Sequence, residues 1–186
     1  MTNHSSEFSY TRLKNALDFK SVHTVENYTD YLNEAFLIFY AERFSYKIKE
    51  QLKSPKKVYA YDTGVINAVK FKTSPDTGRL IENLAAIELL RRGKEFYCYK
   101  TKDGKEVDFA VKEGLKIGQM IQICYDIDQY LTKKRETNAL VKAASEAKCK
   151  NLIVLTWDYE AEERLDDKQI NYLPLWKWLL GLKPLP

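Results

Sequence analysis

The stretch Lys105-Glu106-Val107-Asp108-Phe109-Ala110-Val111, followed beyond a Glu113-Gly114 turn by Gln119-Met120-Ile121-Gln122-Ile123-Cys124, decides the fold. Residues 105–111 alternate in polarity with the two-residue period of a strand. That period puts Glu106 and Asp108 on one face and Val107, Phe109 and Val111 on the other. The second stretch is apolar apart from two amides, Gln119 and Gln122, and 13 residues separate Gln122 from Asp108, enough chain for a hairpin. On the other side, Asp103-Gly104 is the strongest hairpin signal in the chain and joins 105–111 to a strand over 95–100.

Working outward, Leu80, Leu84, Ile87 and Leu90 recur at helical spacing before Gly93, so a helix over 79–92 precedes the three strands. A helix over 132–148 follows them and carries Leu140, Ala143 and Ala147 on one face. Leu152-Ile153-Val154-Leu155 reads as a strand buried on both faces. A strand over 170–173 comes next, and Pro174 opens a short apolar helix over 175–182. The order is helix, three strands, helix, strand, strand, helix.

The N-terminal part reads differently. Ser9 is placed to cap a helix over 9–17, and Asp18-Phe19-Lys20 turns the chain into a second helix opened by Ser21. Val25, Tyr28, Leu32 and Phe36 form an apolar stripe along that second helix. Two short helices around a tight turn make a helix-turn-helix pattern. The aromatic run 36–44 and a strand over 57–61 then read as the β-wing of a winged helix. Asp62-Thr63-Gly64 ends the wing, and Ser74-Pro75-Asp76 gives turn chemistry to a loop over 72–78. The division expected is a module over 1–65 and an α/β domain over 66–186.

Composition excludes several classes. The 186 residues are 45% hydrophobic and 13% aromatic, enough for a packed core and against a disordered chain. None of the seven glycines is followed by Lys-Ser or Lys-Thr, so the chain by itself is not a P-loop ATPase. His4 and His23 are the only histidines and no Cys-x-x-Cys occurs, which argues against a zinc site or a histidine-based hydrolase triad. The three widely spaced cysteines, Cys98, Cys124 and Cys149, read as free thiols of a reducing cytoplasm. No apolar run approaches the roughly 18 residues needed to span a bilayer, and the N-terminus has no signal-peptide pattern. A cytoplasmic protein with no membrane partner is the expectation. The net charge of +4 is spread evenly, with ten Lys/Arg against eight Asp/Glu over 1–70 and twenty against eighteen beyond. A solvated mixed surface follows from that balance rather than a dedicated nucleic-acid face.

The helix-strand-strand-strand-helix-strand order resembles the restriction-endonuclease-like, or PD-(D/E)xK, core. Ser54-Pro55-Lys56-Lys57-Val58-Tyr59-Ala60-Tyr61-Asp62-Thr63-Gly64, with Glu82-Asn83 and Glu106-Val107-Asp108-Phe109, is similar to the C-terminal half of a prokaryotic, especially archaeal, AAA-type ATPase family. Members join a P-loop ATPase to a winged helix and then to a restriction-endonuclease-like domain of unknown function. The likeness covers nearly everything after about residue 8, and the ATPase core is missing. The fold it implies is a mixed sheet flanked by helices, preceded by a small winged-helix module.

The resemblance also implies a site. In the PD-(D/E)xK pattern, an acidic residue on the first helix, an Asp on the second strand and Glu-x-Lys on the third gather Mg²⁺ over a scissile phosphate. The metal lowers the pKa of a bound water, and the lysine orients that water. Here Glu82 and Asp108 match the first two positions. Relatives carry Ile-Glu-Val-Lys where this chain has Ile121-Gln122-Ile123-Cys124, so Gln122 replaces the carboxylate and Cys124 the ammonium. A neutral carbonyl holds a hard cation weakly, and removing a charge-stabilising group of this kind commonly costs about 10² to 10³ in rate. Lys102, Lys105 and Lys116 are the nearest candidates for a relocated ammonium. Arg135-Glu136 reads as a surface ion pair, with a place lining the same cleft as the alternative.

Three readings stand. The favoured one is a catalytically degraded nuclease-like accessory domain of an ATPase system, binding nucleic acid or a protein partner, with Mg²⁺ at Glu82 and Asp108 the one cofactor the resemblance allows and held weakly at most. The second is an Mg²⁺-dependent endonuclease using Glu82, Asp108 and Gln122. The third is a structural module for self-association or capture of a P-loop ATPase subunit. The second helix of the N-terminal module offers His23, Glu26, Asn27, Asp30, Asn33 and Glu34 and no Lys or Arg, so it is unsuited to reading DNA. The basic cluster Lys47, Lys49, Lys53, Lys56 and Lys57, interleaved with Tyr46 and Tyr59, is the candidate for touching DNA or RNA backbone.

Overall fold

A computed structural model describes residues 5–69 and 77–182. The chain divides into two units, Met1–Pro75 and Asp76–Pro186. The turn expected at Ser74-Pro75-Asp76 lies outside the described residues.

The first unit runs β1 (Ser6–Phe8), α1 (Tyr10–Ala16), α2 (Val22–Glu34), β2 (Ile38–Ala41), α3 (Ile48–Lys53), β3 (Lys56–Ala60) and α4 (Thr63–Val69). Its three strands form an antiparallel sheet in the order β1-β3-β2, with Phe39 opposite Tyr59. Both expected caps form: Ser9 Oγ accepts from the Arg12 N–H at 3.3 Å and Ser21 Oγ from the His23 N–H at 3.2 Å. Two helices appear that periodicity did not signal. One is α3, in the expected tip of the wing. The other is α4, at whose start Asp62 Oδ1 accepts from the Gly64 N–H at 2.6 Å.

The apolar stripe expected on α2 is only partly inward. Val25 is buried, yet Tyr28, Leu32 and Phe36 are 55%, 39% and 70% exposed. The residue turned inward beside Val25 is Thr29, whose hydroxyl donates to the Val25 and Glu26 carbonyls at 3.0 and 2.8 Å. Tyr40 on β2 donates its phenol to the Thr29 carbonyl at 2.8 Å. A threonine that satisfies its own hydroxyl on the helix is a tolerable inward residue, so α2 seats on its Val25–Thr29 edge. Phe36 lies beyond the helix with φ +54°.

The second unit runs α5 (Thr77–Arg91), β4 (Phe96–Lys100), β5 (Glu106–Glu113), β6 (Lys116–Ile123), α6 (Tyr130–Ala147), β7 (Asn151–Thr156), β8 (Ala161–Leu165), β9 (Lys168–Pro174) and α7 (Leu175–Leu179). It is a mixed α/β arrangement around one six-stranded sheet, ordered β4-β5-β6-β7-β9-β8. β4, β5 and β6 are antiparallel neighbours, β6-β7 and β7-β9 are parallel, and β8 closes the edge antiparallel to β9. Gly104 and Gly114 take φ of +85° and +62° in the two hairpin turns, a backbone region other residues rarely enter. Phe109, Met120, Ile121, Leu140, Leu152, Leu155, Ile170 and Tyr172 form the fully buried centre.

On α5 the inward face differs from the one expected. Leu80, Leu84 and Ile87 are half-buried, while Ile81, Ala85 and Leu89 are buried, together with the polar Glu82, Asn83 and Glu88. Buried polar residues hide the true face from a hydrophobicity count. Glu88 is retained there by Arg91 and Arg92, with Nε–Oε distances of 2.6 Å to each. Arg92 also donates to the Trp178 carbonyl at 2.6 Å and lies over the Trp178 ring at 4.4 Å, fastening α5 to α7. Among the described residues, no helix is long and apolar enough to cross a membrane.

Candidate functional site

The hairpin of β5 and β6 brings Asp108 and Gln122 together. Its register pairs Phe109 with Ile121, and one residue further Gln122 stands opposite Asp108. There the side chains take over the strand ladder. The Asp108 N–H donates to Gln122 Oε1 at 3.2 Å, and the Ile123 N–H donates to Asp108 Oδ2 at 2.9 Å. Gln122 Nε2 then donates to Glu136 Oε2 on α6 at 2.7 Å. The other Glu136 oxygen accepts from Arg135 Nε and Nη2 at 3.0 and 2.6 Å.

Glu82 reaches the same place from α5. Glu82, Asp108 and Gln122, which are 7%, 9% and 4% exposed, line one cleft of about 780 Å³. Arg79, Lys105, Glu106, Tyr125, Arg135 and Glu136 also border it. Four carboxylates therefore meet three cations; Glu136 pairs with Arg135, and Glu106 with Lys100 Nζ at 2.9 Å. The cleft is of the size that takes small ligands or part of a larger one.

Three residues that lie far apart in sequence thus converge. The fourth position does not join them. Cys124 is 2% exposed, is not among the residues bordering the cleft, and has its thiol pushed up to about 11 by burial. It behaves as a small apolar residue. Of the three lysines weighed, Lys105 borders the cleft. The Lys102 N–H donates to the Glu146 carboxylate, and Lys116 stands opposite Glu113 in the strand register, at the turn end of the hairpin.

For Arg135-Glu136 the favoured expectation is a surface ion pair and the alternative a place on the cleft. The pair forms and it borders the cleft, with the Glu136 side chain only 17% exposed against 73% for Arg135. A signal for this was present. Glu136 precedes Leu140 by four residues and Ala143 by seven, so it extends the inward stripe of α6.

The donor set does not suit a resident Mg²⁺. The carbonyl of Gln122 already accepts a backbone N–H, and one oxygen of Asp108 does the same. Among the described residues, no group of three or more Asp, Glu, His or Cys is arranged to hold a metal ion. What the cleft offers is hydrogen bonding and ion pairing with groups held by the sheet.

The basic cluster of the first unit is divided. Lys47, Lys49 and Lys53 are exposed on and beside α3, and Lys47 pairs with Glu50 at 2.9 Å. Lys57 on β3 is buried. Lys56 lies 3.5 Å from Glu42 and over the rings of Tyr10 and Tyr40 at 5.7 and 5.5 Å. The five lysines do not form one surface.

Residues 77–178 match the family described as Domain of unknown function (DUF4143), and residues 1–76 match a second, Domain of unknown function (DUF8612). An uncharacterized protein of Methanocaldococcus jannaschii is 37% identical over 165 residues, covering 84% of this chain and 36% of that protein. An uncharacterized protein of Haemophilus influenzae is 29% identical over 156 residues, covering 84% of this chain and 37% of its own length. The chain spans little more than a third of the length of these curated relatives. No solved structure matches.

Proposed function

We propose, from the premise that this chain belongs to the DUF4143 family, that its second unit is a restriction-endonuclease-like domain kept as a binding cleft, without efficient phosphodiester cleavage. The first unit is read as a winged-helix module, and the two together as the accessory half of an ATPase system. Support for the fold reading comes from the element orders: helix, three strands, helix, strand in the second unit, and a β1-β3-β2 sheet around two capped helices in the first. One observation carries the loss of catalysis. Gln122 occupies the third-strand position without a carboxylate charge, and its carbonyl and amide engage the Asp108 N–H and the Glu136 carboxylate.

Arg79, Lys105 and Arg135 around the cleft are the groups through which it would contact nucleic-acid phosphates. Incubation with branched, single-stranded and duplex DNA plus Mg²⁺ or Mn²⁺ tests this. The expected result is binding that weakens steeply with salt and no cutting. Cutting abolished by Asp108→Ala would replace this reading with the second one, an Mg²⁺-dependent endonuclease. The feature favouring that alternative is Lys105, which borders the cleft where a relocated ammonium would be needed. If no nucleic acid binds at low salt while the chain captures a P-loop ATPase subunit, the partner is a protein.

A further inference from the structure

The first unit carries two exposed flanks of opposite charge, each next to apolar side chains. On α2, Glu26, Asp30 and Glu34 recur every four residues, and residues 21–34 contain no Lys or Arg. At about 100° per residue, Tyr31 adjoins Glu34 on the exposed arc, and Tyr31 is 61% exposed. Tyr28, 55% exposed, stacks on Phe19 at 5.7 Å. On α3, Ile48 and Leu52 are 74% and 63% exposed, and Lys49 and Lys53 run beside them at the same four-residue spacing. Tyr46, 72% exposed, precedes that helix.

We infer that these two flanks bind one another between copies of the chain, the acidic aromatic side of α2 meeting the basic aliphatic side of α3. Charge sign selects this pairing. Two α2 flanks repel, and so do two α3 flanks, while α2 against α3 sets Asp30 and Glu34 opposite Lys49 and Lys53 and covers Tyr31 with Ile48 and Leu52. A phosphate backbone suits neither flank: it is repelled by α2, and on α3 it leaves the two aliphatic side chains wet. The contact joins different patches, so it closes as a two-fold dimer where both α2–α3 pairs form at once and builds rings or open chains where only one does. The exposed location of its charges makes it weak and salt-sensitive. It is independent of the cleft and of the reading given to it.

Sedimentation velocity of the full chain tests the inference. At low salt, association is expected at about 100 μM, in the range of weak transient contacts, and it recedes as salt is raised. Lys49→Glu/Lys53→Glu and, separately, Asp30→Lys/Glu34→Lys each weaken self-association by about tenfold or more, because each variant now presents two flanks of one sign. Mixed in equal amounts, the two variants associate again, since the acidic α3 of one meets the basic α2 of the other. Leu52→Ala and Tyr31→Ala weaken association without changing its salt dependence. A chain that stays monomeric at low salt overturns the inference. So does association that the charge variants leave unchanged, or a mixture of variants, folded by circular dichroism, that fails to restore it.

Discussion

The two units use aromatic and aliphatic residues in different ways. In the second, five consecutive residues of β5, Val107 to Val111, are buried, and β6 ends in four more. In the first, α1 and α3 bury no residue, and α2 buries only Val25 and Thr29. The second unit has a centre thick enough to stand on its own interior. The first is a thin layer of helices on a three-stranded sheet, with Tyr28, Tyr31, Phe36 and Tyr46 left facing outward. Small units bury a smaller fraction of their surface. Substitutions should therefore register very differently on the two.

The largest effect is expected at Phe109, fully buried and edge-on to Phe96 at 5.6 Å. Phe109→Ala should cost about 3–5 kcal/mol, from lost transfer energy plus a cavity. Tyr31→Ala in the first unit should stay within about 0.5 kcal/mol in the monomer. Denaturant unfolding followed by near- and far-UV signals measures both. Equal costs at the two positions would abolish the contrast between the units.

A smaller effect belongs to Glu88, where the second unit buries charge to hold two helices together. The Arg91 hydrogen bond, and then that of Arg92, outweigh burial and lower its carboxyl to about 2. Glu88→Gln should cost about 2 kcal/mol at neutral pH by leaving two guanidinium groups poorly paired. The folded pKa lies below the ordinary carboxylate value, so the ionised group stabilises the fold above about pH 4.5. That contribution is lost as pH falls from there towards 2. The gap between the parent and Glu88→Gln should close over that window in thermal unfolding. A gap that stays constant down to acid pH would show that the guanidinium pairing contributes nothing.

Legibility in the sequence followed the same division. In the second unit every strand with an apolar face was readable: 95–100, 105–111, 119–124 and 152–155 all lie within or beside observed strands. β8 was not, because Ala-Glu-Glu-Arg-Leu carries little apolar signal; it is an edge strand that exposes its charges. The buried face of α5 was misread by one residue because Glu82, Asn83 and Glu88 occupy inward positions. The convergence of Glu82, Asp108 and Gln122 on one cleft was implied by the resemblance to the PD-(D/E)xK pattern. Glu136 was legible only as the second choice, since an Arg-Glu pair on a helix is usually solvated and its place one turn before Leu140 is a weak marker. In the first unit, the caps at Ser9 and Ser21 were plain, but a helical period alone did not reveal that α2 seats on a threonine.

The site offers a third, more local comparison. Gln122→Glu restores the carboxylate that relatives of the resembled family carry, but here it would face Glu136, now 2.7 Å from the glutamine amide. Two carboxylates at that distance cannot both ionise comfortably, so one proton is retained and the pair titrates at raised pKa. The variant should lose about 1–2 kcal/mol at pH 7 and regain it as pH falls and the shared proton is taken up. Glu136→Gln in the same background should relieve the loss at neutral pH. If Gln122→Glu is as stable as the parent at pH 7, the Gln122–Glu136 bond is not holding α6 to β6.

The smallest expected effect sharpens the account of the first unit. Tyr40 on β2 donates to the Thr29 carbonyl, a polar tie between that sheet and α2. Burial is the main cause that raises the phenol to about 12. Its neutral form is therefore favoured by folding, so the contribution is complete below about pH 10 and is lost as pH rises from there through about 12. Tyr40→Phe keeps the ring that packs against Phe8 at 5.6 Å and removes only the donor, which should cost about 1 kcal/mol. Hydrogen exchange locates the loss. Faster exchange is expected along α2 and β2, with β5 and β6 unchanged, because the six-stranded sheet keeps its own buried centre. Uniform acceleration across both units would mean that they unfold as one cooperative body, and the thinner layer would then owe its stability to the thicker one.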